Sequence, residues 1–146
     1  MSIMDQLAEA LKVLLGTVYG LSVKAQNYHW NVTGPNFAQY HEYFGEFYEE
    51  VGGSIDAIAE MIRVVGSFAP GSLSRFKELS RIEDELMIPE PPLMFARLAR
   101  DNDVVIMTLY EVRTVAEQLG QAGVVNFIED RITAHEKHRW MLKAFI

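Results

Sequence analysis

Apolar residues recur every three or four positions along four long segments of this chain, with polar residues between them. That period matches one face of an α-helix, so each segment is predicted to be a helix that buries one stripe of its surface. The stripes cover residues 7–25, 40–65, 98–119 and 124–140. Glycine and proline interrupt the chain between the stripes, around positions 34–35, 66–71, 89–92 and 120–123. The pattern predicts four helices of about 22–30 residues each.

The lengths of the interruptions predict how these helices are connected. The breaks at 34–35 and 120–123 are short, so the first and second helices, and the third and fourth, should be antiparallel neighbours. The stretch from Gly66 to Pro92 is long enough to cross the bundle lengthwise, and residues 74–79 are predicted to form a short helix within it. One long crossover in a four-helix bundle is the ferritin-like arrangement. We therefore predict a single all-α domain over residues 1–146, a ferritin-like four-helix bundle whose long crossover carries a short helix between helices 2 and 3.

The helix ends carry their own signals. Asn36 is predicted to cap the second helix, since its side-chain oxygen can accept a hydrogen bond from a free backbone N–H. Pro91 and Pro92 suit the first turn of the third helix, and Gly120 suits its end.

Composition and charge narrow the possible functions. The chain has 146 residues, a formal net charge of −7 and no cysteine. Disulfides, zinc–thiolate sites and cysteine nucleophiles are therefore excluded, and a cytoplasmic location is the expectation. The negative charge disfavours binding to a phosphate backbone. No apolar run approaches the ~20 residues that a membrane helix needs, and the first nine residues, which contain no Lys or Arg, do not resemble a targeting peptide.

Two histidines and two carboxylates form a candidate metal site. His29 and His41 lie equally far from the break at 34–35, so an antiparallel hairpin places both imidazoles at one height, facing a point between the helices. Asp56 and Glu60 are four residues apart and share a helix face. His41 and Glu60 are nevertheless separated by about 28 Å along one helix, at about 1.5 Å per residue. One ion cannot bind both in the same chain.

A two-fold axis would bring these ligands together. If helix two packs antiparallel against its copy, His41 meets Glu60 of the partner subunit and residue 45 meets the partner's Asp56. Both pairings place the axis between residues 50 and 51, beside Gly52 and Gly53. Small residues there would let two backbones approach closely, although the same glycines could instead mark a kink. The isologous arrangement creates two equivalent sites in each dimer.

These motifs resemble those of the Dps-type miniferritins, the DNA-protection-during-starvation family of the ferritin-like superfamily. The resemblance covers nearly the whole chain. It is carried by the run NYHWN at 27–31, the run GPNF at 34–37, His41 followed by Glu42, Asp56, Glu60, and the run HEKHRWML at 135–142.

The resemblance implies a hollow dodecamer with an iron-oxidising site at each dimer interface. His29 and His41 of one chain, with Asp56 and Glu60 of its neighbour, would bind iron and carry out its oxidation, with Trp30 beside the site. Iron(II) would be oxidised by hydrogen peroxide, or by dioxygen, and ferric mineral would collect inside the shell as protection against oxidative stress. Imidazole with carboxylate is a chemically sensible set of ligands for iron(II).

Two features depart from the family's pattern. The family usually has an acid four residues after the second histidine, where this chain has Gly45. Glu49, one turn further along, is a further candidate ligand. The Lys-rich tail through which some members bind DNA is also missing, because the first basic residue is Lys12 and the chain stops at Ile146. We therefore expect no DNA binding at neutral pH.

Plainer interpretations stay open. A single histidine beside an apolar stripe is more often a packed residue than a ligand, and a structural role is favoured for His135 and His138. Glu46, Glu49 and Glu50 are expected to form a solvated face. No glutamate has a histidine three residues later, which weighs against ordinary ferritins and intrachain di-iron enzymes. Two hypotheses remain: an iron-oxidising storage shell, and a non-catalytic Dps-like shell or metal-binding interaction protein whose site is impaired by Gly45.

Overall fold

A computed structural model describes residues 1–146 and contains helices but no strands. The helices are α1 (Ile3–Asn31), α2 (Phe37–Gly52), α3 (Ile55–Val64), α4 (Leu73–Leu79), α5 (Pro91–Gln118) and α6 (Ala122–Ala144). Four rods pack around one apolar core. The first rod is α1, the second consists of α2 followed by α3, the third is α5 and the fourth is α6. Helix α4 lies in the crossover. The predicted ferritin-like bundle is confirmed, and so is the short crossover helix. No helix is both long and apolar enough to cross a membrane.

The ends of the helices follow local chemistry. Ser2 and Asp5 form a capping box at the start of α1, in which each side chain binds the other residue's backbone N–H. Pro91 is the first residue of α5, as predicted, and Gly120 follows the end of α5 with φ +65°. Asn36 occupies the N-cap position of α2, as predicted, and its backbone carbonyl accepts from the Tyr40 N–H. Its side chain makes no capping hydrogen bond, and its amide donates to the Tyr40 hydroxyl at 3.3 Å instead.

The second rod is interrupted where the sequence predicts one continuous helix. Helix α2 ends at Gly52 and α3 begins at Ile55. At the junction, the backbone N–H and the hydroxyl of Ser54 both donate to the Val51 carbonyl, at 3.2 and 2.6 Å. A Cβ atom on Gly52 would lie 3.1 Å from the Ser22 hydroxyl oxygen of α1. At Gly52 the α2 backbone therefore approaches α1 of the same chain closely.

The crossover is fixed to the bundle through a glycine face on α1. A Cβ atom on Gly16 would lie 2.8 Å from Leu79 Cβ, and one on Gly20 would lie 2.8 Å from the Ser80 hydroxyl oxygen. These two glycines let α4 lie directly on the α1 backbone. The ring of Tyr19 stacks on the α4 residue Phe76 with 4.2 Å between centroids, and thereby extends the contact.

Two polar contacts hold α1, the crossover and α5 together. The Tyr28 hydroxyl donates to Glu85 in the crossover at 2.6 Å, and Arg97 of α5 donates to the same carboxylate. Deeper in the bundle, the Lys24 ammonium contacts the Asp101 carboxylate at 2.6 Å, and both side chains are almost fully buried. These contacts fix the C-terminal part of α1, which carries His29, relative to the crossover and α5.

Candidate metal centre

The hairpin between α1 and α2 brings two imidazole rings face to face. His29 is in the last turn of α1 and His41 is near the start of α2. Their ring centroids are 3.9 Å apart and their planes differ by 12°. The rings therefore lie at one height, as the symmetric spacing about the break predicts. They are stacked, however, rather than turned edgewise toward a common point.

Hydrogen bonds determine which nitrogen of each ring is free. Nδ1 of His29 lies 2.6 Å from the His41 backbone carbonyl oxygen, and Nδ1 of His41 lies 2.6 Å from the His29 carbonyl oxygen. Because a carbonyl oxygen can only accept, both Nδ1 atoms must be protonated. In the neutral rings each Nε2 atom then carries a lone pair, and the backbone fixes the orientation of each ring. This is the arrangement that histidine ligands of metal ions usually have.

Aromatic side chains surround the histidine pair. The ring of Phe37 stacks on the other face of His41, with 5.1 Å between centroids, and Tyr48 meets His29 at 5.3 Å. Both histidines are half-buried. The side chain of Trp30, which the resemblance places beside the site, is 65 % exposed. It makes no aromatic stacking contact in the single chain.

Gly45 lies directly under the His29 ring. A Cβ atom at this position would be 2.9 Å from Cε1 and 3.0 Å from Nδ1 of His29. Contacts below 3.0 Å are essentially never found for real Cβ atoms. No residue with a side chain can occupy position 45 unless the ring moves. The sequence shows that an acid is missing here, but it does not show that the imidazole fills the space.

The two carboxylates lie away from the histidine pair in the same chain. Asp56 and Glu60 are exposed on α3, one helical turn apart. No group of three or more His, Cys, Asp and Glu side chains within one chain could hold a metal ion. Glu49 is also exposed, on α2. Within one chain the two candidate histidines and the two candidate carboxylates are therefore apart.

A second polar cluster lies between α2, α5 and α6. Arg131 binds Glu50 with two hydrogen bonds of 2.6 and 2.9 Å, and His138 Nε2 donates to the same carboxylate at 2.7 Å. Glu46, Glu49 and Glu50 are exposed, as expected, but the Glu50 carboxylate is also paired with Arg131 and His138. The hydrogen bonds from His138 and Arg131 hold the pKa of Glu50 far below its usual range.

His135 has the structural role that was favoured for it. Its ring is buried, its Nδ1 donates to Asn102 at 2.7 Å, and its Nε2 accepts from Arg131 at 3.2 Å. Burial lowers the pKa of His135 from 6.5 to about 3.

The comparisons with known proteins agree with this architecture. A ferritin-like domain profile matches residues 8–146, and the chain belongs to that family. Within the family it is a Dps-type protein. It is 32 % identical over 126 residues to the DNA protection during starvation protein of Brevibacillus brevis, a match that covers 86 % of this chain and 85 % of the relative.

Solved structures show the same likeness. A Dps protein from Bacillus brevis superposes with a TM-score of 0.95 at 31 % identity, covering 99 % of this chain and 97 % of the other. The Dps protein of Vibrio cholerae, described as a member of a broad superfamily of ferritin-like diiron-carboxylate proteins, superposes with a TM-score of 0.94 at 25 % identity, covering 98 % and 90 %.

Proposed function

We propose that this chain is the subunit of a shell that oxidises iron(II) and stores the ferric product. The observation that carries the proposal is the histidine pair, in which both Nδ1 atoms are committed to backbone carbonyls. The remaining Nε2 lone pairs are available to a metal ion at a half-buried surface. The family supports iron as the substrate, since a related Dps structure is described as ferritin-like and diiron-carboxylate.

Each site would be shared between two copies of the chain. His29 and His41 would come from one copy, and the partner's Asp56 and the partner's Glu60 from the other. An antiparallel crossing of the α2–α3 rods centred between residues 50 and 51 brings these residues into register. The exposure of both carboxylates supports this proposal, because a second chain can reach them. We propose a dodecamer, following the resemblance to the Dps-type miniferritins.

The ligand set suits the reaction. Hydrogen peroxide takes up two electrons and each iron(II) gives one, so two iron(II) ions are oxidised for each peroxide. With two further water molecules the products are two FeOOH units and four protons. Carboxylates stabilise the higher charge of iron(III), and neutral imidazoles bind iron(II) without repelling it. Dioxygen is the alternative oxidant, and removing iron(II) and peroxide together would protect against oxidative stress.

Charge and location complete the proposal. The net charge of −7 favours cations and disfavours nucleic acid, so we expect no DNA retardation in a gel-shift assay at low salt and neutral pH. Tight, salt-sensitive binding to DNA would contradict this. A chain without cysteine suits the reducing cytoplasm.

The test is to add iron(II) and then hydrogen peroxide anaerobically, and to follow ferric absorbance against a control without protein. The wild-type chain should oxidise iron faster than the control and keep the product soluble. His41→Ala and Asp56→Ala should each lose most of this rate. Glu136→Ala, which removes an exposed acid from α6, should keep it. Unchanged oxidation in both site variants would show that the proposed site is wrong.

The second candidate function is a non-catalytic shell or metal-binding interaction protein. Gly45 favours it, because this chain lacks the acid that the family usually has there. In the same assay, such a protein would assemble into a shell but oxidise iron no faster than the control.

A further inference from the structure

Phe37, the first residue of α2, lies beside the histidine pair without belonging to the core. Its side chain is 43 % exposed, and it is neither part of the apolar core nor one of the half-buried residues packed against it. Its one aromatic contact is with the imidazole of His41, at 5.1 Å between centroids and 23° between planes. Tyr48, on the other side of the pair, does pack against the core. Core packing therefore does not explain the ring of Phe37.

The turn before α2 determines where this ring lies. Gly34 has φ +112°, a conformation that favours glycine, and its carbonyl accepts from the Phe37 N–H at 3.1 Å. The helix therefore begins at Phe37, four residues before His41. Residues four apart lie one above the other on a helix face, and helical side chains lean toward the N-terminus. The turn thus places a phenyl ring over the ring of a candidate ligand.

The imidazole of His41 is held at one atom and covered on both faces. The hydrogen bond from its Nδ1 to the His29 carbonyl fixes one edge of the ring, but by itself leaves the ring free to tilt about the N–H···O direction. The ring of His29 blocks this tilt on one face, at 3.9 Å between centroids. The ring of Phe37 blocks it on the other face. Together these contacts leave the Nε2 lone pair of His41 pointing in one direction.

We propose that Phe37 is a positioning residue of the metal centre, which holds the His41 ring so that its Nε2 lone pair points at the metal ion. Because Phe37 acts through a candidate ligand, this inference rests on the proposed function. Loss of a contact that orients a histidine ligand typically lowers metal affinity by about 10–100-fold. A stacking contact is weaker than a charge-assisted hydrogen bond, so we expect a loss of about tenfold, at the lower end of that range.

Zinc titration of the assembled protein tests the positioning role, because zinc binds imidazole and carboxylate and has no redox chemistry. Phe37→Leu keeps an apolar side chain but removes the planar ring, and it should lower the zinc affinity by about tenfold. Phe37→Tyr keeps the ring and should bind zinc within about twofold of the wild type. An unchanged affinity in Phe37→Leu, or an equal loss in Phe37→Leu and Phe37→Tyr, would overturn the proposal.

Phe68→Leu is the matched control for this titration. Phe68 is also an exposed phenylalanine, but its ring contacts the Arg63 guanidinium, at 4.4 Å, rather than a histidine. The same chemical change there should leave the zinc affinity as it is in the wild type. A loss of affinity in Phe68→Leu equal to that in Phe37→Leu would mean that any exposed phenylalanine has this effect, and would also overturn the proposal.

Iron kinetics give a second readout that a general loss of stability would not produce. Phe37→Leu should need about tenfold more iron(II) to reach half of its maximal oxidation rate, because a tilting His41 ring weakens binding. The maximal rate at saturating iron(II) should stay within about twofold of the wild type, because the ligands themselves are unchanged. A lower maximal rate with an unchanged half-saturating iron(II) concentration would contradict the positioning role.

Asp56→Asn distinguishes failure of this inference from failure of the proposed function. If Asp56→Asn and Phe37→Leu both titrate like the wild type, zinc binds elsewhere, and the proposed shared site fails together with the inference. If Asp56→Asn loses tight zinc binding while Phe37→Leu keeps it, only the inference fails. Size-exclusion chromatography and circular dichroism check that each variant folds and assembles. Phe37→Met, whose flexible side chain fills space without a ring, replaces Phe37→Leu if that variant does not assemble.

Discussion

Acid should destabilise this fold through His135, a buried residue that is not one of the candidate metal ligands. The imidazole is buried between α5 and α6, donates to Asn102 and accepts a hydrogen bond from Arg131. Protonating it would place a second positive charge next to the guanidinium and remove the acceptor that this group uses. Burial and, secondly, Arg131 lower the pKa of His135 to about 3.

The direction and size of the effect follow from linkage. In the unfolded chain His135 takes up a proton near its ordinary pKa of 6.5, whereas the folded chain does so only near 3. Between these values the unfolded state binds more protons, so the free energy of unfolding falls as pH falls, by up to about 1.4 kcal/mol per pH unit. From pH 6 to pH 4 the loss is about 2–3 kcal/mol. Glu50, whose pKa is lowered, adds a loss of the same sign below the ordinary carboxyl range.

His135→Gln isolates the contribution of this histidine. Glutamine can still donate and accept hydrogen bonds but does not titrate, and Glu50 and the remaining histidines are common to both proteins. Urea unfolding is measured at pH 6 and pH 4, with a chelator and at one protein concentration, because assembly also contributes to stability. The wild-type chain should lose about 2–3 kcal/mol more than the variant. A difference between the two proteins that does not change with pH would refute the reasoning.

Two further predictions concern packing and buried charge. Gly16→Ala should lower the melting temperature, because its Cβ would lie 2.8 Å from Leu79 Cβ. Such overpacking costs about 1–3 kcal/mol, which is more than the gain in helix propensity from glycine to alanine. Gly123→Ala is the control and should not lower the melting temperature, because its Cβ would meet nothing within 4 Å. Asp101→Asn should cost about 3–5 kcal/mol in chemical denaturation, because it leaves the buried Lys24 ammonium without an opposite charge. Adding Lys24→Met should recover most of that loss, and a double variant no more stable than Asp101→Asn would contradict the explanation.

The sequence predicts the bundle well because helix formation and burial leave local signals. Apolar spacing and the Gly–Pro interruptions define the rods, and the distance of His29 and His41 from the turn sets their common height. The break at Ser54 leaves a weaker signal. Two adjacent glycines indicate that the helix is weak there, but not whether it bends or meets another chain. Only the position of α1 shows that Gly52 contacts Ser22 of the same chain.

Contacts between rods distant in sequence could not be predicted in the same way. Glu50 looks like one of several exposed acids until α6 is placed beside α2, so that Arg131 and His138 reach it. Similarly, the sequence shows only that position 45 lacks the acid that the family usually has there. The contact with His29 depends on the side-chain rotamer of the histidine, and that rotamer is set by a hydrogen bond across the hairpin.

The same contacts suggest why chemistry at the site can vary without loss of the fold. The buried charges of the bundle are paired within the chain, as in Lys24 with Asp101, and do not involve the candidate ligands. Asp56 and Glu60 are exposed and take no part in the core, and the Nε2 atoms of the histidines make no hydrogen bond within the chain. Substitutions among these ligands should therefore change metal binding far more than stability. Gly45 is the exception, because the backbone of α2 and the ring of the candidate ligand His29 meet at that position.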